Sequence, residues 1–253
     1  MKKILVIGIG AGHPEHITVQ AINALNRAPV LFILDKGYAN HDLLRLRREI
    51  CERYIEGDGY RLVQVSDPVR EADHGAYETG IEHWHEQRAA LFEQLIADEV
   101  GEGVSGAFLV WGDPGLYDST LRILERVLAR GRERFEYEVI PGITSVQALA
   151  AQHRISLNRI GEPIRITTGR RLGEGQGADI DNVVVMLDAH CTFEQFVDQP
   201  LFIYWGAYLG TPDEILISGP LQEVAGRIRQ AREAARAAKG WIMDTYLLRR
   251  PLD

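Results

Sequence analysis

The chain has 253 residues, enough for one large domain or two small ones with a buried core in each. It is 45% hydrophobic and 25% charged with a net charge of −8. That balance argues against a general nucleic-acid or membrane-surface binder, which needs a basic face, while leaving room for a local basic pocket. The two cysteines, Cys51 and Cys191, form no CxxC pair, so neither a disulfide framework nor a zinc site is expected. The opening MKKILVIGIG is too short an apolar run for a signal peptide, and no run approaches the ~18 apolar residues of a membrane span. The expectation is a cytoplasmic protein without a metal.

Ile4–Ile9 is a short β-branched run, read as a buried strand, that enters Gly8-Ile9-Gly10-Ala11-Gly12. Pro14 suits the first position of a following helix and Glu15 its positive end; Ile17, Ala21, Ala24 and Leu25 recur at helical spacing. Val30–Leu34 is a second strand closed by Asp35, so the chain opens as a βαβ unit of a parallel sheet. Asp42–Tyr54 is predicted helical, with Arg45 and Arg48 together at i,i+3, a pattern that by itself reads as a solvated face. Arg61–Val65 alternates as a strand, and Asp67–Thr79 is expected to be a loop. Ile81–Val100 reads as a long amphipathic helix with Trp84, Leu91, Phe92 and Leu95 on its buried side. His83 and His85 within it point to different sides and do not suggest a shared metal.

Phe108–Trp111 is continuously apolar, as in a strand buried on both faces, and ends in Gly112-Asp113-Pro114-Gly115. A helix is predicted from about Asp118 to Arg130, stopped by Gly131. Tyr137–Ile140 is another strand, delivering Pro141-Gly142-Ile143-Thr144-Ser145. Composition changes near Arg159–Pro163, which places the domain boundary at 160, with domains 1–160 and 161–253. Short strands are expected at Ile164–Thr168, Val183–Leu187, Leu201–Trp205 and Glu214–Ser218, with GRRLGEGQG from Gly169 as a flexible loop. A helix through Val224, Ile228, Ala231 and Ala235 stops at Gly240, and Trp241–Leu248 makes the last strand.

The first glycine loop invites a dinucleotide reading, with Asp35 on a ribose hydroxyl. The third glycine of G-x-G-x-x-G would fall on His13, however, and Glu15 puts an anion where a pyrophosphate would sit. An NAD-dependent dehydrogenase is therefore the rival from another enzyme class, and a non-enzymatic ligand-binding α/β protein is a third reading.

IGIGAGHPEHIT, VWGDPGLY and VIPGITS, in that order, resemble the motifs of the tetrapyrrole (corrin/porphyrin) methylase family, with Ala11 where the family's first loop has proline. The resemblance implies two α/β domains with a cofactor cleft between them, use of S-adenosyl-L-methionine (SAM) with S-adenosyl-L-homocysteine as product, and a homodimer. Further segments, LDKGYANHDLLRLRREICERYI, GIEHWHEQRA and IYWGAYLGTPDEIL among them, resemble a deacetylating branch of that family. That branch couples methyl transfer at ring carbon C-1 to release of a two-carbon unit as acetate; the alternative is methylation at another ring carbon. By the same resemblance Ala11, Trp111, Gly112, Asp113, Leu116, Thr144, Ser145, Met186 and Ala207 match cofactor contacts, and Asp35 matches an acid–base aspartate. A ring bearing many acetates and propionates calls for guanidinium forks, and Arg45, Arg48, Arg170 and Arg171 are the candidates.

Overall fold

A computed structural model describes residues 1–35, 41–68, 77–175 and 180–251. The chain divides into two compact units, Met1–Thr144 and Ser145–Asp253. The boundary expected at 160 falls inside the second unit, because the helix Ser145–His153 packs on strands of that unit's sheet.

In the first unit five strands form one parallel sheet: β1 (Lys2–Gly8), β2 (Val30–Asp35), β3 (Arg61–Ser66), β4 (Ser105–Val110) and β5 (Phe135–Ile140), in the order β3-β2-β4-β1-β5. The connecting helices are α1 (Val19–Leu25), α2 (His41–Tyr54), α3 (Tyr77–Glu99) and α4 (Thr120–Arg130). Alternate residues of the central strands serve two cores. Ile4, Val6, Phe32 and Phe108 face α3 and α4, where Phe108 stacks between Phe32 and Phe92 with ring centroids 4.7 and 4.2 Å away. Leu5, Ile7, Leu31, Ala107 and Leu109 pack with residues of α1 and α2 such as Leu25 and Ile50. Burial on both faces is why these strands read as unbroken apolar runs.

The expected first helix is two elements. Pro14–His16 is a single 3-10 turn capped by His13, and α1 begins again behind Thr18, whose hydroxyl accepts from the Ala21 N–H at 3.0 Å. α3 starts at Tyr77, earlier than the apolar periodicity indicated, and residues 69–76 of the expected loop lie outside the described residues.

The second unit holds a mixed sheet of β6 (Arg165–Thr168), β7 (Val183–Met186), β8 (Phe202–Ala207), β9 (Ile215–Pro220) and β10 (Asp244–Arg249), ordered β6-β7-β10-β8-β9. β6 and β7 run parallel, and β10 with β7, β10 with β8, and β8 with β9 run antiparallel. α5 (Ser145–His153) packs on β8 and β10, and α7 (Leu221–Lys239) packs on β8 and β9. Trp205, Tyr246 and Phe193 fill the core with Leu221 and Ile228 of α7. The glycine-rich stretch after β6 is not a loop throughout: Gly169–Gly173 forms a short helix, α6, because the Thr168 hydroxyl caps it through the Arg171 N–H. Gln176 and Gly177 of that stretch lie outside the described residues.

Candidate active site

A parallel sheet sends all its carboxyl ends to one edge, so the loops after β1, β4 and β5 emerge side by side. There the three glycine-bearing motifs meet. A Cβ on Gly8 would lie 2.6 Å from Gly142 N and 2.8 Å from Gly112 O, and one on Gly142 would overlap Gly112 O and sit 2.8 Å from Gly8 C. Only chains without side chains cross this closely. Gly10 and Gly112 form an isolated antiparallel bridge, the Gly112 N–H donating to Gly10 O at 2.8 Å and the Gly10 N–H to Gly112 O at 3.3 Å.

Asp113 locks this corner. Its Oδ2 accepts from the Gly142 N–H at 2.9 Å and its Oδ1 from the Gly115 N–H at 2.7 Å, so one carboxylate holds the β4 and β5 loops together. A side chain spent on two backbone donors is a brace for the loops. Ala11 and Thr144 are buried at the ends of the neighbouring motifs, and Leu116 is half-buried with its N–H on Asp113 O at 3.3 Å. The Trp111 indole Nε1 is sealed from solvent with no acceptor among the described residues, a donor that a bound ligand could satisfy. Glu15, which by sequence threatened the loop with an anion, is paired with Arg53 of α2.

Asp35 ends β2 on the same edge, half-buried; its Oδ2 accepts from Gln64 Nε2 at 3.0 Å and its carbonyl from the Asp67 N–H at 2.8 Å. Beside it lies a pair that the sequence reading missed. Arg88 of α3 and Asp67 are both buried and joined Nε to Oδ1 at 2.8 Å; Arg88 Nη1 donates to Ser119 Oγ at 2.6 Å, and its guanidinium lies 4.7 Å from the Trp84 ring. The signal was present: position 88 falls on the apolar stripe of α3, four residues after Trp84 and four before Phe92. An arginine there must carry a partner inward.

In the second unit Met186 ends β7 and Ala207 ends β8, and both strand ends flank the start of β10 through the pairs Met186–Thr245 and Ala207–Asp244. Thr245 Oγ1 donates to Ser145 Oγ at 2.9 Å. Arg170 and Arg171 are exposed and both engage Glu174, at 2.5 and 3.2 Å; Arg45 and Arg48 are exposed on α2, with Arg48 donating to Gln64 at 2.8 Å. Within each unit the candidates are neighbours along one helix, Arg45 and Arg48 on α2 and Arg170 and Arg171 on α6.

The family model for "Tetrapyrrole (Corrin/Porphyrin) Methylases" matches residues 3–225. The chain is 56% identical over 253 residues to precorrin-6A synthase [deacetylating] of Sinorhizobium sp, covering 100% of this chain and 97% of the relative. It is 29% identical over 191 residues to precorrin-2 C(20)-methyltransferase of Sinorhizobium sp, covering 72% and 73%. Among solved structures, a cobalamin synthesis related protein (CobF) of Corynebacterium diphtheriae superposes with a TM-score of 0.86 at 41% identity, covering 99% of each chain. Uroporphyrin-III C-methyltransferase of Thermus thermophilus, complexed with S-adenyl homocysteine, shares the fold with a TM-score of 0.56 at 18% identity, over 98% and 97%. The motif trio, the two sheets and the full-length likenesses agree: this chain belongs to the tetrapyrrole methylase family.

Proposed function

We propose that this protein transfers a methyl group from SAM to C-1 of precorrin-5 and releases the extruded two-carbon unit as acetate, giving precorrin-6A. The observation that carries this reading is the convergence of IGIGAGHP, VWGDPGLY and VIPGITS on one sheet edge, in a chain similar along its length to a deacetylating precorrin-6A synthase. A dehydrogenase would leave the last two motifs without a task. We further take the enzyme to be cytoplasmic and homodimeric, as the family resemblance implies.

The corner fits SAM: side-chain-free backbone, a sealed indole N–H and buried hydroxyl and methyl groups suit a compact zwitterionic nucleoside. Ala11, Trp111, Gly112, Asp113, Leu116, Thr144 and Ser145 would hold it; Met186 and Ala207 rest on the family resemblance alone. When bound, SAM supplies an already activated methyl on a sulfonium. The protein is left to orient the acceptor carbon and keep water from the sulfonium, which is why no nucleophile is needed at this corner.

Acetate release asks more. Water adds to the acyl carbonyl, the carbon–carbon bond to the ring breaks with its electron pair moving into the ring, and a proton must be taken from the water. Asp35, a half-buried carboxylate on the same edge as the glycine corner, is assigned that proton. Arg45, Arg48, Arg170 and Arg171 supply positive charge to the substrate's carboxylates. Incubation with SAM and precorrin-5, read by mass spectrometry, tests the reading: one methyl gained with stoichiometric acetate supports it. A methyl gained without acetate would instead mean that another ring carbon is methylated. Asp35→Asn should lower turnover by about 10²-fold or more while binding S-adenosyl-L-homocysteine normally; unchanged turnover removes Asp35 from the chemistry.

A further inference from the structure

Two buried arginines have their guanidinium groups engaged by acceptors. Arg88 holds Asp67 and Ser119, and Arg232 of α7 holds Asp244 at 3.0 Å and Asp188 O at 2.6 Å. Arg47 of α2 departs from this. Its Nε is sealed from solvent with no acceptor among the described residues, and its Nη1 makes a single long bond, 3.3 Å, to Leu43 O of its own helix. Three carboxylates lie within Coulombic reach, Asp118, Asp67 and Asp35, and none pairs with it. Each has one oxygen engaged elsewhere: Asp67 Oδ1 with Arg88, Asp118 Oδ1 with the Thr120 N–H at 2.7 Å, and Asp35 Oδ2 with Gln64.

These three carboxylates follow β3, β4 and β2, which are adjacent strands, so Arg47 stands at the carboxyl edge beside the glycine corner. Burial draws its pKa down to about 10 while the carboxylates push it up, so it is charged at neutral pH. A charged fork of five donors with one long bond among the described residues is a donor site open to an acceptor. A planar carboxylate matches it bidentately. Because Asp35 and Asp118 carry like charge, such a ligand would be admitted by its hydrogen-bond geometry and not by a general positive field.

We propose that Arg47 receives one carboxylate of the tetrapyrrole, acting as the buried anchor that orients the ring, while the exposed arginines only attract it. This rests on the tetrapyrrole reading above; the same fork could in principle take the amino-acid carboxylate of the cofactor, and the experiment separates the two.

Binding of uroporphyrin III, a tetrapyrrole polycarboxylate, and of its octamethyl ester is measured by tryptophan fluorescence quenching, alongside S-adenosyl-L-homocysteine by calorimetry. The proteins are wild type, Arg47→Gln, Arg47→Lys and, as a charge control on an exposed position away from this edge, Arg132→Gln. The expected result is a Kd for the free acid raised at least tenfold in Arg47→Gln and less in Arg47→Lys. The ester affinity, the S-adenosyl-L-homocysteine affinity and the behaviour of Arg132→Gln should stay within about twofold of wild type. Arg47→Lys keeps the charge and guards against misfolding of the glutamine variant, with circular dichroism checking both. Weakening of S-adenosyl-L-homocysteine alone overturns the assignment in favour of a cofactor contact. A lower Tm with all affinities unchanged, or no binding of the free acid by wild type, overturns it outright. Loss of acid binding in Arg47→Gln in a protein that leaves precorrin-5 unmethylated would sustain the anchor and refute the reaction, whereas normal precorrin-5 turnover with unchanged Arg47→Gln affinities would do the reverse.

Discussion

Gly142 shows how little room a single atom has at the candidate active site. An added Cβ would overlap Gly112 O and crowd Gly8, both backbone, so nothing flexible is available to give way. Gly142→Ala should therefore push the β5 loop off the β4 loop and strain the bond from Gly142 N–H to Asp113. We expect a stability loss of about 1–3 kcal/mol and a tenfold or greater weakening of S-adenosyl-L-homocysteine, measured by urea unfolding and calorimetry. An alanine variant with wild-type affinity would show that this crossing does not shape the cofactor site. The cysteines illustrate the opposite case: burial pushes the Cys51 thiol up to about 12, so it is an inert core residue.

At the scale of elements, buried ion pairs fasten helices to strand ends. Arg88 joins α3 to Asp67 behind β3 and to Ser119 before α4. Arg88→Met should cost about 3–5 kcal/mol because Asp67 is then buried without its countercharge. The double variant Arg88→Met/Asp67→Leu should recover much of that loss, since an apolar pair of similar volume restores a neutral interior. Equal losses in single and double variants would show that the pair acts through packing alone. Arg232 does the same work in the second unit, where Asp244 also accepts from Trp205 Nε1 at 2.9 Å. Gly226, exposed within α7, has nothing within 4 Å of an added Cβ. Gly226→Ala should stabilise by about 0.5–1 kcal/mol, read as a shift of the urea midpoint, because the glycine's extra freedom in the unfolded chain is removed.

For the molecule as a whole, two histidines are expected to contribute to the acid limit of stability. Burial lowers the pKa of His85 in the first unit below the usual 6.5, helped by Arg126, and lowers that of His153 in the second, where it bonds to Trp205 O at 3.0 Å. With folded values below the unfolded one, each contributes stability that is fully present above 6.5 and lost as pH falls through its folded value. Urea midpoints should thus drop between about pH 7 and pH 5, and the drop should be smaller in His153→Gln. An equal drop in that variant would move the effect to other groups.

Across these scales, what the sequence alone determined was whatever depends on near neighbours. Continuous apolar runs marked β1, β2 and β4, turn residues marked the three corners, and helical spacing marked α3, α4 and α7. The motif trio also carried the family, since it is a pattern of residue types in order. Tertiary structure decided what depends on strand order. β1 lies between β4 and β5, so loops far apart in sequence cross at Gly8, Gly112 and Gly142, and Asp113 becomes the pin that holds them. It also decided which arginines leave water: Arg45 and Arg48 lie exposed, while the Nε of Arg47 between them is sealed from solvent. One residue along a helix is a rotation of about 100°. Only the packing of α2 on its sheet says which side of that rotation meets water.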